Sequence, residues 1–216
     1  MLDRRDIGFK RYQMGQISFR LTNRVQRTGK KKKDRLSKAA GEAERAPLVL
    51  TIGHSTRSLD DFIDLLETHR VKTIVDVRTV PRSRHNPHFN LDTLPQTLRS
   101  AEIGYEHMSG LGGLRHPLRD SPNMGWQNSS FRGFADYMLT EEFEKNLEEL
   151  IGFVSRKRIC LMCAEAVPWR CHRSLIADAL LVRSLSVEHI MSKTKTQPHK
   201  LTPFARVDGT RITYPE

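Results

Sequence analysis

The chain has few cysteines and no long apolar run. Its 216 residues include three cysteines, a small and odd number that favours free thiols in a reducing compartment over a disulfide framework. No stretch reaches the ~18 apolar residues that a membrane-spanning helix needs, and the start of the chain carries no secretory apolar segment. We therefore expect a cytoplasmic protein that does not reside in a membrane.

The sequence also lacks the usual motifs for a phosphate loop and for structural zinc. Gly110-Leu-Gly-Gly113 follows no strong predicted strand and opens no clear helix, which predicts a flexible turn. Cys163, Cys171, His172 and His54 could supply tetrahedral zinc ligands, but they lack close paired spacing and a neighbouring arginine would repel a cation. We therefore expect no cofactor and no metal.

Positive charge is concentrated at one end of the chain. The formal net charge is +11, and residues 1–46 contribute +9 of it, with 14 Lys and Arg against 5 Asp and Glu. We expect residues 1–46 to form a disordered basic tail and residues 47–216 to form a single α/β domain. The tail is either a solvated extension or an arm that binds nucleic acid.

Apolar runs alternate with amphipathic segments from residue 47 onwards. Strands are predicted at 48–53, 71–77, 105–108, 158–163 and 187–191, and helices at 59–69, 91–102, 131–139, 141–154 and 171–184. Unbroken apolar strands between helices are typical of a parallel sheet that is covered on both faces. The predicted fold class is α/β, an open, mostly parallel sheet with Rossmann-like or rhodanese-like layering, and a hairpin is possible at 205–215.

Helix ends are predicted from three local signals. Ser58 and Asp61 resemble a capping box, and Thr140 is expected to cap the helix at 141–154. Gly104 is expected to be the left-handed residue that ends the helix at 91–102.

Polar side chains follow the carboxyl ends of three predicted strands, where ligands bind in open parallel sheets. They are His54 and Ser55 after the first strand, Asp76, Arg78 and Arg84 after the second, and Cys163, Glu165, Cys171, His172 and Arg173 after the strand at 158–163. This convergence predicts a functional site at one edge of the sheet.

Two cysteines and two histidines are the candidate reacting groups. Cys171 lies at a predicted helix start beside arginines, which favours a thiolate there, and Cys163 directly follows a strand. His54 and His172 could act as base and acid. The alternative is that these cysteines and histidines are structural, and that interpretation is strongest for Cys160 inside the strand.

Charged residues complete the predicted site. Arg78, Arg84 and Arg173, together with Ser55, suggest recognition of phosphate or carboxylate, because guanidinium groups bind such anions at two points. Asp76 could orient a histidine or pair with Arg78 or Arg173. Glu165 is either a general base or a partner for an arginine.

Four sequence blocks resemble the domain-of-unknown-function family 488 over about residues 48–191. They are Thr51-Ile-Gly-His-Ser55, Val75-Asp-Val-Arg78 with Pro81 and Ser83-Arg84, Leu111-Gly-Gly113, and Met162-Cys-Ala-Glu165 followed by Cys171-His-Arg173. The resemblance implies a family but no reaction. A weaker similarity to rhodanese domains departs from their compact loop, because ten positions separate Cys163 from Arg173.

Three functions are compatible with these features. The leading hypothesis is a soluble enzyme, a hydrolase or a transferase, that binds a phosphorylated or nucleotide-like small anion at the edge of the sheet. The second is a nucleic-acid-binding module that uses the basic tail. The third is a thiol-dependent redox or sulfur-transfer protein. The oligomeric state is left open.

Overall fold

A computed structural model describes residues 47–216; the tail expected at residues 1–46 lies outside the described residues. The strands are β1 (Leu48–Gly53), β2 (Thr73–Asp76), β3 (Gly104–His107), β4 (Ile159–Cys163), β5 (Ser186–Ser192), β6 (Lys195–Pro198), β7 (Arg206–Asp208) and β8 (Arg211–Thr213). The helices are α1 (Leu59–Thr68), α2 (Leu94–Ser100), α3 (Ser129–Tyr137), α4 (Glu141–Val154) and α5 (Arg173–Leu181). Within the described range, no helix is long and apolar enough to cross a membrane.

Six strands form one sheet in the order β3-β2-β4-β1-β5-β6. All neighbouring pairs are parallel except β5 and β6, so the predicted open and mostly parallel α/β sheet is confirmed. The edge strand β6 was not predicted, because its four residues, Lys-Thr-Gln-Pro, carry no apolar run and remain largely exposed. A separate hairpin joins β7 to β8 through Gly209.

Alternate residues of the central strands enter two hydrophobic clusters, one on each face of the sheet. On one face, strand residues such as Leu50 and Met162 pack with the apolar sides of α1 and α2. On the other face, Val75 and Leu161 pack with α3, α4 and α5. Helices therefore cover both faces, and the sheet register places Gly53 of β1 beside Cys163 of β4.

Two of the three predicted helix signals act as expected. The Asp61 N–H donates to Ser58 Oγ at 3.1 Å, and the Phe143 N–H donates to Thr140 Oγ1 at 3.2 Å. The prediction for Gly104 is wrong, because α2 ends earlier and Glu102 takes the left-handed conformation, with φ 56°. Gly104 instead begins β3, where an added Cβ would lie 3.0 Å from the Thr73 hydroxyl.

Candidate active site

A cleft of about 420 Å³ opens at the carboxyl edge of the sheet, beyond the ends of β2 and β4. Its lining includes Cys163, Cys171 and His172, with Arg78 and Arg170 among the other residues of the wall. The cleft thus brings together side chains that follow two of the three strands named from the sequence, and His54 and Ser55 after β1 are not in its lining.

His172 lies between the two cysteines. Its Nδ1 is 3.9 Å from Cys163 Sγ and 3.8 Å from Cys171 Sγ. On the other side of the ring, Nε2 is 3.0 Å from the carbonyl oxygen of Val77, which can only accept a hydrogen bond. Nε2 therefore carries a proton, and Nδ1 faces the sulfurs, where it can take the proton of a thiol and then donate to the resulting thiolate.

The glycine loop at 110–113 supports this imidazole. A Cβ at Gly113 would lie 2.5 Å from His172 Nδ1, so only glycine allows the backbone to approach the ring this closely. Arg115 donates to the carbonyls of Gly112 and Gly110 at 3.2 and 3.1 Å and stacks on the Tyr137 ring. The hydrogen bonds from Arg115 therefore hold the segment that was predicted to be a flexible turn, and this segment forms one wall of the cleft.

The two thiols of the cleft have opposite pKa shifts. The pKa of Cys163 is well below its usual value because Cys171 and His172 hydrogen-bond to its sulfur, and these effects exceed the opposing effect of burial. The pKa of Cys171 is well above its usual value, because it shares this hydrogen bond with Cys163 and is also buried. Sequence position alone favoured Cys171, but α5 begins only at Arg173. Cys163 is therefore the more acidic thiol of the pair.

The same three residues are candidate metal ligands. The sulfurs of Cys163 and Cys171 and one ring nitrogen of His172 lie within 4.8 Å of one another. Two thiolates and an imidazole are ligands that zinc accepts, with a fourth position left for water or substrate. His54, the other histidine considered for zinc, is not part of this group. The absence of a metal stays a prediction.

Asp76 pairs with Arg78, one of the partners considered for it. Arg78 Nε lies 2.8 Å from Asp76 Oδ1 and Nη2 lies 2.5 Å from Oδ2, and the Tyr105 hydroxyl donates to Oδ2 at 2.7 Å. Arg78 Nη2 also donates to the Phe89 carbonyl at 2.7 Å. The carboxylate thus holds the guanidinium against the wall of the cleft.

His54 lies behind Arg78. Its side chain stacks on Phe89 with the ring centroids 4.2 Å apart, and Nε2 accepts from Arg78 Nη1 at 3.2 Å. Nδ1 lies 2.9 Å from the Ser55 carbonyl, and burial is the main reason that the pKa of His54 is lowered. These contacts suit a neutral histidine that positions Arg78, and proton transfer by His54 stays a prediction.

Arg173 points inward. Its side chain is 1% exposed, and it donates to the carbonyls of Ile52, Glu165 and Ala166 at 3.0, 2.7 and 3.0 Å. The guanidinium therefore fastens the loop after β4 to the end of β1. Gly53 is needed at this contact, because a Cβ there would lie 1.8 Å from the Glu165 carbonyl oxygen. We assign Arg173 a positioning role.

The other predicted residues lie at the margins. The Glu165 residue is exposed and belongs to the lining of the cleft. Ser55 adopts a left-handed φ of 51°, and its N–H donates to the Ala164 carbonyl at 2.9 Å. Arg84 is exposed on the loop after β2, outside the lining of the cleft. Anion binding by Ser55, Arg84 and Arg173 stays a prediction.

Sequence reasoning assigned no role to the apolar mouth of the cleft. Val80 and Leu114 line it and are 60% and 74% exposed. Both lie in segments rich in glycine, proline and charge, where a single apolar residue gives no periodic signal. Arg170, the exposed cation of the wall, is one of the arginines beside Cys171 in the sequence.

An open α/β sheet with a dithiol and an imidazole in a cleft at its carboxyl edge defines the structural class of this protein. The chain belongs to the family described as Domain of unknown function DUF488, which matches residues 58–180. The family expected from the sequence blocks is thereby confirmed, and the matched span contains all the residues that line the cleft. No curated protein and no solved structure matches the chain.

Proposed function

We propose that the protein is an enzyme, a hydrolase or a transferase, in which the Cys163 thiolate attacks a small anionic substrate bound in the cleft. The observation that carries the proposal is the position of Cys163 Sγ, 3.9 Å from an imidazole nitrogen whose ring is fixed by the Val77 carbonyl. A nucleophile beside a base that a third group orients is the usual arrangement of covalent catalysis.

The reaction follows from the proton positions. The Cys163 thiol gives its proton to Nδ1 of His172, and the thiolate forms a bond to the electrophilic atom of the substrate. The bond to the leaving group breaks, and Nδ1 returns the proton to that group. Water in a hydrolase, or a second substrate in a transferase, then displaces the sulfur and regenerates the thiol.

Arg170 is the best candidate for attracting the anion. It is exposed in the wall of the cleft, whereas much of the charge of Arg78 is balanced by its ion pair with Asp76. Val80 and Leu114 at the mouth favour a substrate that carries an apolar group beside its anionic group.

Alkylation by iodoacetamide at pH 6 tests the nucleophile. A thiol of pKa about 8.5 is only about 0.3% ionised at that pH. Because nucleophilicity falls as the pKa falls, we expect a net gain of roughly tenfold for Cys163 over free cysteine. Peptide mapping should locate the label on Cys163, and Cys163→Ser should remove the fast phase while Cys160→Ser keeps it. Alkylation at or below the rate of free cysteine would contradict the proposal.

The same assay tests the anion and the metal. Inorganic phosphate should slow the alkylation of Cys163 in the wild-type protein. The slowing should be smaller in Arg170→Ala and should equal that of the wild type in Arg84→Ala. If protection is lost only in Arg84→Ala, the anion site is on the loop after β2. If the fast phase appears only after a chelator has removed a bound ion, the trio is a metal site and the nucleophile assignment is wrong.

Nucleic-acid binding is a second candidate function, and it depends on the +9 charge of residues 1–46. Binding of this kind should fall steeply as salt rises, because phosphate contacts release counterions. Affinity for single-stranded or double-stranded DNA that persists after deletion of residues 1–46 would place the contact in the α/β domain instead of the tail.

A further inference from the structure

The proposed reaction needs one thiol, but the cleft holds two. Cys163 Sγ and Cys171 Sγ lie within 4.8 Å of each other and at nearly equal distances from His172 Nδ1. The remaining cysteine, Cys160, belongs to the hydrophobic cluster on the opposite face of the sheet. The structure thus separates one pair of thiols from a third thiol that cannot reach it.

We propose that the cleft also performs thiol–disulfide exchange, with Cys163 as the attacking thiol, Cys171 as the resolving thiol and a small anionic disulfide as the substrate. The inference rests on the proposed function in that Cys163 is the nucleophile and the substrate is a small anion in both. It gives Cys171, which the first reaction leaves unused, a chemical role.

The exchange has two balanced steps. The Cys163 thiolate attacks one sulfur of the small disulfide, the S–S bond breaks, and the leaving thiolate takes a proton from His172. The Cys171 thiol then gives its proton to the same Nδ1 and attacks the Cys163 sulfur. The second small molecule leaves as a thiolate and takes this proton from Nδ1. Two protein thiols are oxidised to one disulfide, and one small disulfide is reduced to two thiols.

The surrounding backbone suits this closure. A disulfide needs the sulfurs about 2.05 Å apart, so both side chains must rotate towards each other. Cys163 is the last residue of β4, and Cys171 lies outside the helix, with φ −133° and ψ 140°. Arg173 holds the Glu165 and Ala166 carbonyls of the loop between them, so closure needs rotation of the two cysteine side chains rather than a shift of this loop. The oxidised form lacks the thiolate, so the exchange also switches off the first activity.

Oxidised glutathione is the probe for the test, with the full-length reduced protein held in chelator. The wild-type protein should lose two hydrogens in intact mass without keeping a glutathione adduct, and a non-reducing peptide map should join Cys163 to Cys171. Dithiothreitol should restore both thiols. Cys160→Ser, the matched control, should behave like the wild type.

The cysteine variants separate the two steps. Cys171→Ser should trap a stable glutathione adduct on Cys163, and Cys163→Ser should give no fast reaction. A wild-type protein that keeps the adduct, or a cross-link that involves Cys160, overturns the proposal without any need for a variant. If Cys163 alkylates rapidly but no cross-link forms, exchange is wrong while the proposed nucleophile stands. If Cys163 resists both reagents, both proposals fail.

Discussion

The buried histidine His189 should make the stability of the protein depend on pH. His189 lies in β5 and is 4% exposed. Its ring belongs to a chain of hydrogen bonds that ends on the carboxylate of Asp178. Asp178 Oδ1 lies 2.8 Å from His199 Nε2, and His199 Nδ1 lies 3.0 Å from His189 Nε2. Thr51 Oγ1 lies 2.7 Å from His189 Nδ1. Because the carboxylate only accepts, His199 donates to Asp178, and a neutral His189 fits between His199 and the Thr51 hydroxyl.

Burial, with a smaller effect of His199, lowers the pKa of His189 from 6.5 to about 3. The folded protein therefore keeps His189 neutral at pH values at which the unfolded chain protonates it. His189 therefore does not reduce the free energy of unfolding above pH 6.5, and it reduces it progressively as the pH falls from 6.5 towards 3. At pH 5 the loss attributable to this residue is on the order of 2 kcal/mol, since each pKa unit corresponds to 1.36 kcal/mol.

Urea unfolding at pH 7.5 and pH 5 measures this difference. The wild-type protein should lose about 2 kcal/mol more stability between these two values than His189→Gln does. His85→Gln, at an exposed histidine of the loop after β2, is the matched control and should behave like the wild type. If wild type and His189→Gln lose the same amount of stability, the hydrogen-bonded chain does not hold His189 neutral.

Two further substitutions test the supports of the site. Gly113→Ala should displace the imidazole against it and slow iodoacetamide alkylation at pH 6 by less than the roughly tenfold gain, because the hydrogen bond from Cys171 to Cys163 remains. Gly152→Ala, with nothing within 4 Å of its Cβ, should not slow it. An unchanged alkylation rate in Gly113→Ala would mean that the glycine loop does not position the ring. Arg173→Met should lower the free energy of unfolding by about 3 kcal/mol, because three backbone carbonyls lose a charged donor, whereas Arg84→Met should change it little. If urea titration finds the two arginine variants equally stable, Arg173 does not fasten the loop.

The sequence predicted the fold more completely than the site. Strand and helix positions followed from apolar runs and from caps such as Ser58 and Thr140, whose contacts are local in the chain. The misplaced signal at Gly104 and the missed strand β6 share a cause. The conformation of Gly104 and the existence of β6 both depend on pairing with a neighbouring strand. Such pairing leaves no pattern within the segment itself.

Within the site, the sequence predicted which residue types follow which strands but not which of them face the cleft. Cys163, Cys171 and His172 come together as expected of side chains at a common edge. Arg173 and His54 follow the same strands, yet one binds backbone carbonyls and the other lies behind Arg78. The position of a residue after a strand places it at an edge of the sheet, and only the packing of the loops decides the direction in which its side chain points.

The sequence alone determined the class of the fold, the order of its elements apart from β6, the family, and the presence of two thiols and an imidazole at and after the end of β4. These features depend on patterns within one segment. The tertiary structure decided that Asp76 pairs with Arg78 and that Cys163, rather than Cys171, has the lowered pKa. Ion pairing and pKa shifts depend on distances and burial, and these exist only once β1, β2 and β4 lie side by side and the glycine loop closes over His172.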